Sequence, residues 1–277
     1  MGEWRHMSFG KEFMARFGED DVAGMAAQLA YFFLLSLFPF MIFLVTLLGY
    51  MKISTDQLLI FISTYAPSES YTLIQENVTE LVNSRNGGLL SIGLIGTLWS
   101  ASNGVNAIMR AFNRAYDVEE SRSFVVGRII AIILTIAMVV IIGVAFLLPV
   151  FGKAIGVYLF SFIGFSDGFI EAWNALRWII SSIIFFVVLT FLYVLAPNKR
   201  LKFRETVYGA VFATVGWQLA SLLFSYYVSS MGNFSAMYGS LGGVIVLMIW
   251  FYFSGIIIIV GGEINAMIRR RRIAIYS

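Results

Sequence analysis

The sequence predicts an all-α integral membrane protein, a six-transmembrane-helix bundle whose N- and C-termini both lie in the cytoplasm. Hydrophobic residues make up 59% of the 277 and charged residues only 13%, and the apolar residues occur in long uncharged blocks. Soluble domains carry about 25% charged residues, so half of the usual water-facing surface is missing. An ordinary soluble enzyme is therefore excluded.

The lengths of the uncharged stretches predict the individual spans. A helix needs about 20 apolar residues to cross a hydrocarbon core about 30 Å thick. Five stretches are long enough, and the longest, Thr206 to Gly262, is divided by small and polar residues between Ser229 and Ser240. Unpaired backbone is too costly in lipid, so the spans should be helices. They are predicted at 25–50, 88–110, 126–150, 177–197, 206–230 and 241–267.

Lys and Arg predict the orientation, because they are retained on the cytoplasmic side of short loops. The segments on the predicted cytoplasmic side carry 15 of them and the external segments carry 4. Three regions follow. They are a cytoplasmic amphipathic N-terminal segment (1–24), a six-helix transmembrane domain (25–268) and a basic cytoplasmic tail (269–277).

The N-terminal segment places Phe9, Phe13 and Phe17 at four-residue spacing, which predicts a short helix on the inner leaflet. Glu19, Asp20 and Asp21 precede the first span, where acidic side chains commonly cap free backbone N–H groups. We therefore interpret these three acids as capping residues.

Missing residue types exclude several kinds of site. The chain has no cysteine and one histidine, His6, so disulfides, thiol nucleophiles and histidine-rich metal centres are excluded. It also lacks the phosphate-binding loop of ATPases and the glycine-rich dinucleotide turn. We expect no catalytic residue, no metal, no cofactor and no nucleic-acid partner.

Polar residues inside the spans are costly in lipid and usually face protein or water. Asn103, Asn106, Arg110 and Asn113 form one stripe on the second predicted helix, because they are three or four residues apart. Together with Gln218 and Glu263 they predict a polar cavity open to the cytoplasm. The alternative is ordinary hydrogen bonding between packed helices.

Glu263, in the sequence GGEIN, ends the longest uncharged stretch of the chain. In the predicted topology it lies at the same cytoplasmic depth as Arg110. Because a lone charge there would be expensive, we predict that the two side chains form an ion pair. A proton or substrate site at Glu263 is the alternative.

Three further features are predicted outside this stripe. Pro39 should bend the first span, because proline lacks the N–H that a helix requires. The uncharged loop that contains Gly232, Tyr238 and Gly239 is a candidate external gate, or alternatively a packing turn. The tail Arg269, Arg270, Arg271 and Arg272 should contact anionic lipid headgroups.

Four stretches of the sequence resemble those of the YihY/BrkB family. They are AYFFLLSLFPF, GTLWSASNGVNAIMRAFNRAYDVEE, YVLAPNKRLKFRETVYGA and GNFSAMYGSLGGVIVLMIWFYFSGIIIIVGGEIN. The resemblance covers residues 10–268 and implies a six-helix protein of the bacterial cytoplasmic (inner) membrane. The family once carried a ribonuclease BN label, and one branch is associated with resistance to serum killing.

The ribonuclease label fits poorly with the residues present. Metal-dependent phosphodiesterases hold their ions with clustered carboxylates or histidines. The acids Asp117, Glu119 and Glu120 instead lie between Arg114 and Arg122, as in a solvated, mutually paired turn. We therefore expect no nuclease activity.

Two functions remain. The first is a transporter-like or channel-like protein whose cytoplasm-facing cavity accepts an anionic or zwitterionic solute or lipid. An arginine in the cavity favours such ligands. The second is a non-transporting membrane scaffold that supports envelope integrity. The sequence leaves the substrate, the coupling ion and the oligomeric state open.

Overall fold

The computed structural model describes residues 8–50, 86–139, 167–230 and 241–276, and these ranges contain seven helices. The helices are α1 (Phe9–Glu19), α2 (Val22–Tyr50), α3 (Gly87–Ala115), α4 (Phe124–Val139, as far as it is described), α5 (Asp167–Leu195), α6 (Phe203–Ser230) and α7 (Leu241–Tyr276). No strand occurs in these ranges. The all-α prediction therefore holds wherever the chain is described.

Three of these helices contain stretches long and apolar enough to cross a membrane: Val22–Leu47, Phe203–Val228 and Leu241–Ala274. Two others, Phe124–Val139 and Ile179–Leu195, are apolar but shorter. The second half of the predicted span 126–150 lies outside the described residues. The count of six spans and the cytoplasmic termini stay predictions.

The chain forms two compact units. One contains the described residues of Phe32–Ala101, that is, most of α2 and the first half of α3. Its helices approach closely, since a Cβ on Gly93 would lie 2.8 Å from the backbone nitrogen of Phe43. Pro39 lies inside α2 in this unit, and its predicted bend is not tested by these contacts.

The other unit, the described residues of Met1–Tyr31 and Ser102–Ser277, is built around a close crossing of α6 and α7. A Cβ on Gly209 would collide with the carbonyl oxygen of Gly261. The hydroxyl of Tyr193, from α5, donates a 2.8 Å hydrogen bond to the carbonyl of Ile258. Glycine therefore lets the backbones of α6 and α7 meet in the core of this unit, where the side chain of Tyr193 from α5 reaches them.

Two helices differ in length from their predicted spans. α5 begins at Asp167, ten residues before the predicted span, and α7 continues to Tyr276. Charge spacing detects only the apolar part of a helix, so it misses ends that carry charged side chains. The arginines assigned to a separate tail consequently belong to α7.

α1 is the short helix that the phenylalanine spacing predicted, but its buried face is charged. Glu12 is 3% exposed and Arg16 is 7% exposed, whereas Phe9 is 41% exposed. The helix therefore turns ionic side chains towards the rest of the unit.

Candidate functional site

The stripe on α3 is formed, but its members have separate partners. Asn103 accepts a 2.6 Å hydrogen bond from Nη1 of Arg128 on α4. Nη2 of Arg110 donates at 3.1 Å to the side-chain carbonyl of Gln28 on α2, and Arg110 is exposed. Asn106, between them, is half-buried.

Asn113 joins two turns. It is 5% exposed, donates a 2.8 Å hydrogen bond to Glu120 and accepts one of 2.6 Å from the backbone N–H of Asn198. Arg122 binds both oxygens of Glu120, at 2.7 and 2.8 Å, and also reaches the carbonyl of Ala196 at 2.9 Å. Asn113 therefore connects the end of α3 to the turns that follow α3 and α5.

Gln218 has a comparable role, since its Nε2 donates a 2.7 Å hydrogen bond from α6 to the hydroxyl of Ser182 on α5. One cavity, of about 560 Å³, is lined by residues between Val194 and Leu201. Another, of about 520 Å³, lies between α6 and α7 beside Trp250. The six predicted residues line neither of these cavities. A common polar cavity stays a prediction.

Arg110 and Glu263 do not form the predicted ion pair. Arg110 donates to Gln28 instead, whereas Glu263 is fully buried and neither of its oxygens has a hydrogen-bond donor among the described residues. The ion pair was predicted because the two residues lie at the same depth in the predicted membrane. The two side chains differ in direction, because Arg110 points to the surface and Glu263 points towards Asp20 in the α1–α2 turn.

Asp20 was interpreted as a cap of the first span, but it is the C-cap of α1 and its carboxyl does not cap α2. Asp21 caps α2, since its Oδ1 accepts a 3.3 Å hydrogen bond from the N–H of Gly24, and its φ is 51°. Asp20 is instead 7% exposed and lies 3.4 Å from Nη1 of Arg16. Burial raises the pKa of Asp20 in spite of that arginine. Asp20 follows α1 four residues after Arg16, and this spacing could have indicated that the Asp20 side chain lies on the buried face of α1.

Successive arginines near the end of α7 bind acids from three other parts of the chain. Arg269 lies 3.4 Å from Glu205 of α6, and Arg270 lies 2.6 Å from Asp117, just after α3. Arg271 binds Glu12 of α1. Arg272 is exposed. The predicted contact with lipid headgroups is therefore best placed at Arg272, because the other three arginines already hold carboxylates.

Asp117 is the centre of this network. Both guanidinium nitrogens of Arg16 bind it, at 3.0 and 3.2 Å, in addition to Arg270. Burial acts to raise the pKa of Asp117, but the hydrogen bonds and charges of Arg16 and Arg270 outweigh it and hold that pKa below its ordinary value. Two of the three acids considered for a nuclease site, Asp117 and Glu120, are thus engaged with arginines. In the described ranges, no three His, Cys, Asp or Glu side chains are grouped to hold a metal ion.

The candidate gate residues Gly232, Tyr238 and Gly239 lie outside the described residues. Their role is left as a prediction, and so is the alternative of a packing turn.

Long apolar helices, surfaces rich in exposed leucine, isoleucine and phenylalanine, and a charged network at one end of the bundle define a multi-pass helical membrane protein. The chain belongs to the family described as virulence factor BrkB, whose model matches residues 13–275. The resemblance to the YihY/BrkB family is thereby confirmed, and the chain is a bacterial multi-pass membrane protein.

The relatives carry two kinds of name. The ribonuclease-like protein YfkH of Bacillus subtilis (strain 168) is 55% identical over 96% of this chain and 97% of its own length. UPF0761 membrane proteins of Glaesserella parasuis serovar 5 (strain SH0165) and Idiomarina loihiensis (strain ATCC BAA-735 / DSM 15497 / L2-TR) are 28% and 26% identical. These matches cover 81% and 95% of this chain and 77% and 93% of the relatives. No solved structure matches the chain.

Proposed function

We propose that the chain is a transporter-like or channel-like protein of the bacterial cytoplasmic membrane. Its polar site opens to the cytoplasm and receives an anionic or zwitterionic solute or lipid headgroup at Arg110. The observation that carries the proposal is the partner of Arg110, which is the neutral amide of Gln28. In the described part of the chain, no carboxylate forms an ion pair with Arg110.

A guanidinium without a carboxylate keeps its full charge for a ligand. Within a span such a group is expensive, and intramembrane arginines that are kept usually mark a pathway or a binding site. Asn106 lies one turn away on the same face of α3 and is half-buried, so its amide can contribute further hydrogen bonds to a bound anion.

The test is flux through the purified protein in liposomes. Chloride, inorganic phosphate, glycine betaine and a fluorescent phosphatidylglycerol serve as the probes. We expect at least one probe to move. We expect Arg110→Gln to slow it about tenfold or more, because a hydrogen bond to a charged group contributes about 1.5–3 kcal/mol. Lys11→Gln removes a positive charge from an exposed position of α1 and should leave the flux unchanged.

A non-transporting scaffold is the second candidate. Gln218 connects α6 to α5, and Arg269 and Arg271 connect α7 to α6 and α1, as a static bundle requires. The scaffold would be favoured if none of the four probes moved while the reconstituted protein remained folded. Equal flux through Arg110→Gln and the unaltered protein would contradict the proposal that Arg110 binds the transported ligand.

A further inference from the structure

Glu263 lies in a tightly closed part of the bundle. It is 0% exposed and follows two glycines at which α7 is in close contact with other helices. A Cβ on Gly262 would lie 2.5 Å from the ring of Phe112, and one on Gly261 would collide with the hydroxyl of Tyr193. An ionised carboxylate here would lack every hydrogen bond that water supplies, at a cost of several kcal/mol.

The group within hydrogen-bonding reach of Glu263 is a second carboxyl, that of Asp20. An ionised carboxylate only accepts hydrogen bonds, so two carboxyls can bond to each other only when one of them carries a proton. Two like charges at such short range cannot both persist, and such pairs retain a proton well above the ordinary carboxyl range.

Two nearby arginines hydrogen-bond acids other than Glu263. Arg16 of α1 binds Asp117 and, at 3.4 Å, Asp20, whereas Arg270 of α7 binds Asp117. Neither arginine hydrogen-bonds Glu263. Tyr116, just after α3, is buried, and its hydroxyl has no hydrogen-bond partner among the described residues. Arg114, also from α3, is exposed and donates to the backbone carbonyl of residue 20 rather than to its carboxyl.

We propose that Asp20 and Glu263 form a proton-binding site, in which the two carboxyls share one proton at neutral pH beneath the Arg16–Asp117–Arg270 ion pairs. The site does not depend on the proposed function, because a scaffold could hold the proton as well as a transporter.

Binding of the proton should control the position of the α1–α2 turn relative to α7. Asp20 lies in the turn between α1 and α2, whereas Glu263 lies in α7, two helical turns or about 10 Å before Arg270. Loss of the proton would place two negative charges in contact, and their repulsion would push the α1–α2 turn away from α7. Protonation therefore holds this turn in place.

Infrared spectroscopy of the full chain in dodecyl maltoside tests the site, because this detergent lacks the ester carbonyls of lipids. At about pH 7 the unaltered protein should show the carbonyl stretch of a protonated carboxyl, and Glu263→Gln should lose one such band. Glu19→Gln, an exposed acid beside Asp20, is the matched control and should keep the band. A spectrum without the band, or a band that persists in Glu263→Gln, would overturn the proposal.

A second measurement uses the unaltered chain and so does not depend on a folded variant. The folded protein keeps a proton that the unfolded chain releases above about pH 4. Stability should therefore fall as the pH rises above that value, for as long as the folded protein still holds the proton. In a pH series that starts above the ordinary carboxyl range of about pH 4 and ends in mild alkali, the Tm should decrease as the pH rises while the carbonyl band disappears. A band that no pH in this range removes, or a Tm that rises with pH, would contradict a shared, titrating proton.

Discussion

At the scale of single residues, Gly261 determines how closely α7 approaches α5 and α6. A Cβ there would collide with the hydroxyl of Tyr193 and lie 2.8 Å from the carbonyl oxygen of Gly209. Gly261→Ala should therefore destabilise the protein by about 1–3 kcal/mol, because packed backbone has to move. Thermal unfolding in detergent measures the loss.

Gly243→Ala is the control on the same helix, since nothing lies within 4 Å of its added Cβ. It should be neutral or stabilising by up to about 1 kcal/mol, because alanine favours a helix over glycine. Equal Tm values for the two variants would mean that the close crossing does not contribute to stability.

Residue chemistry could be predicted from the sequence better than residue partners. Glu263 was singled out correctly as a charge needing an explanation, because 57 uncharged residues precede it. Its partner was not foreseen. Asp20 lies 243 positions away in a run of three acids. Only Asp21 of this run caps α2, and the sequence does not show which of the three acids has that role. The position of a residue along a span gives the depth of its side chain in the membrane. The direction in which the side chain points depends on how the helices pack, and a local sequence pattern does not show this.

At the scale of elements, the link between α7 and α1 should respond to a single substitution. Two nitrogens of Arg271 bind Glu12, at 3.0 and 2.8 Å, and Glu12 is almost completely buried. An 11-residue helix is marginal on its own. Arg271→Gln should therefore release α1 and speed its amide hydrogen exchange about tenfold or more, since hydrogen bonds to charged groups contribute about 1.5–3 kcal/mol.

Arg272→Gln is the matched control, because it removes the neighbouring charge from an exposed position. Exchange in α6 should stay unchanged in both variants. If α1 kept its protection in Arg271→Gln, its other contacts, above all the Arg16–Asp117 ion pair, would hold the helix instead.

The bounds of the elements show where sequence patterns stop being informative. The start of α2 agrees with its predicted span to within three residues, because the acids that precede it also end the apolar stretch. α7 runs nine residues past its predicted end, because its arginines face acids of α1, α3 and α6 instead of water alone. Hydropathy treats every charge as a boundary, whereas a paired charge can continue a helix.

At the scale of the whole molecule, the distribution of charge has two consequences. It places Lys and Arg on one side of the predicted membrane, and it supplies the partners that hold the helix ends together. Arg270 belongs to both groups, since it counts towards orientation and binds Asp117. The same residues therefore contribute to the predicted topology and to helix packing. The orientation of the chain can be measured by substitutions at exposed positions, which disturb neither.

The absence of cysteine makes that measurement direct, because each introduced thiol is the only one in the chain. Lys11→Cys and Arg272→Cys should react with a membrane-impermeant maleimide only after the cells are permeabilised, whereas Ser235→Cys, in the predicted external loop, should react in intact spheroplasts. The expectation follows from the excess of Lys and Arg on the predicted cytoplasmic segments. The opposite pattern would reverse the orientation, and Arg110, Asp20 and Glu263 would then face the outside, so the proposed solute and proton sites would open away from the cytoplasm.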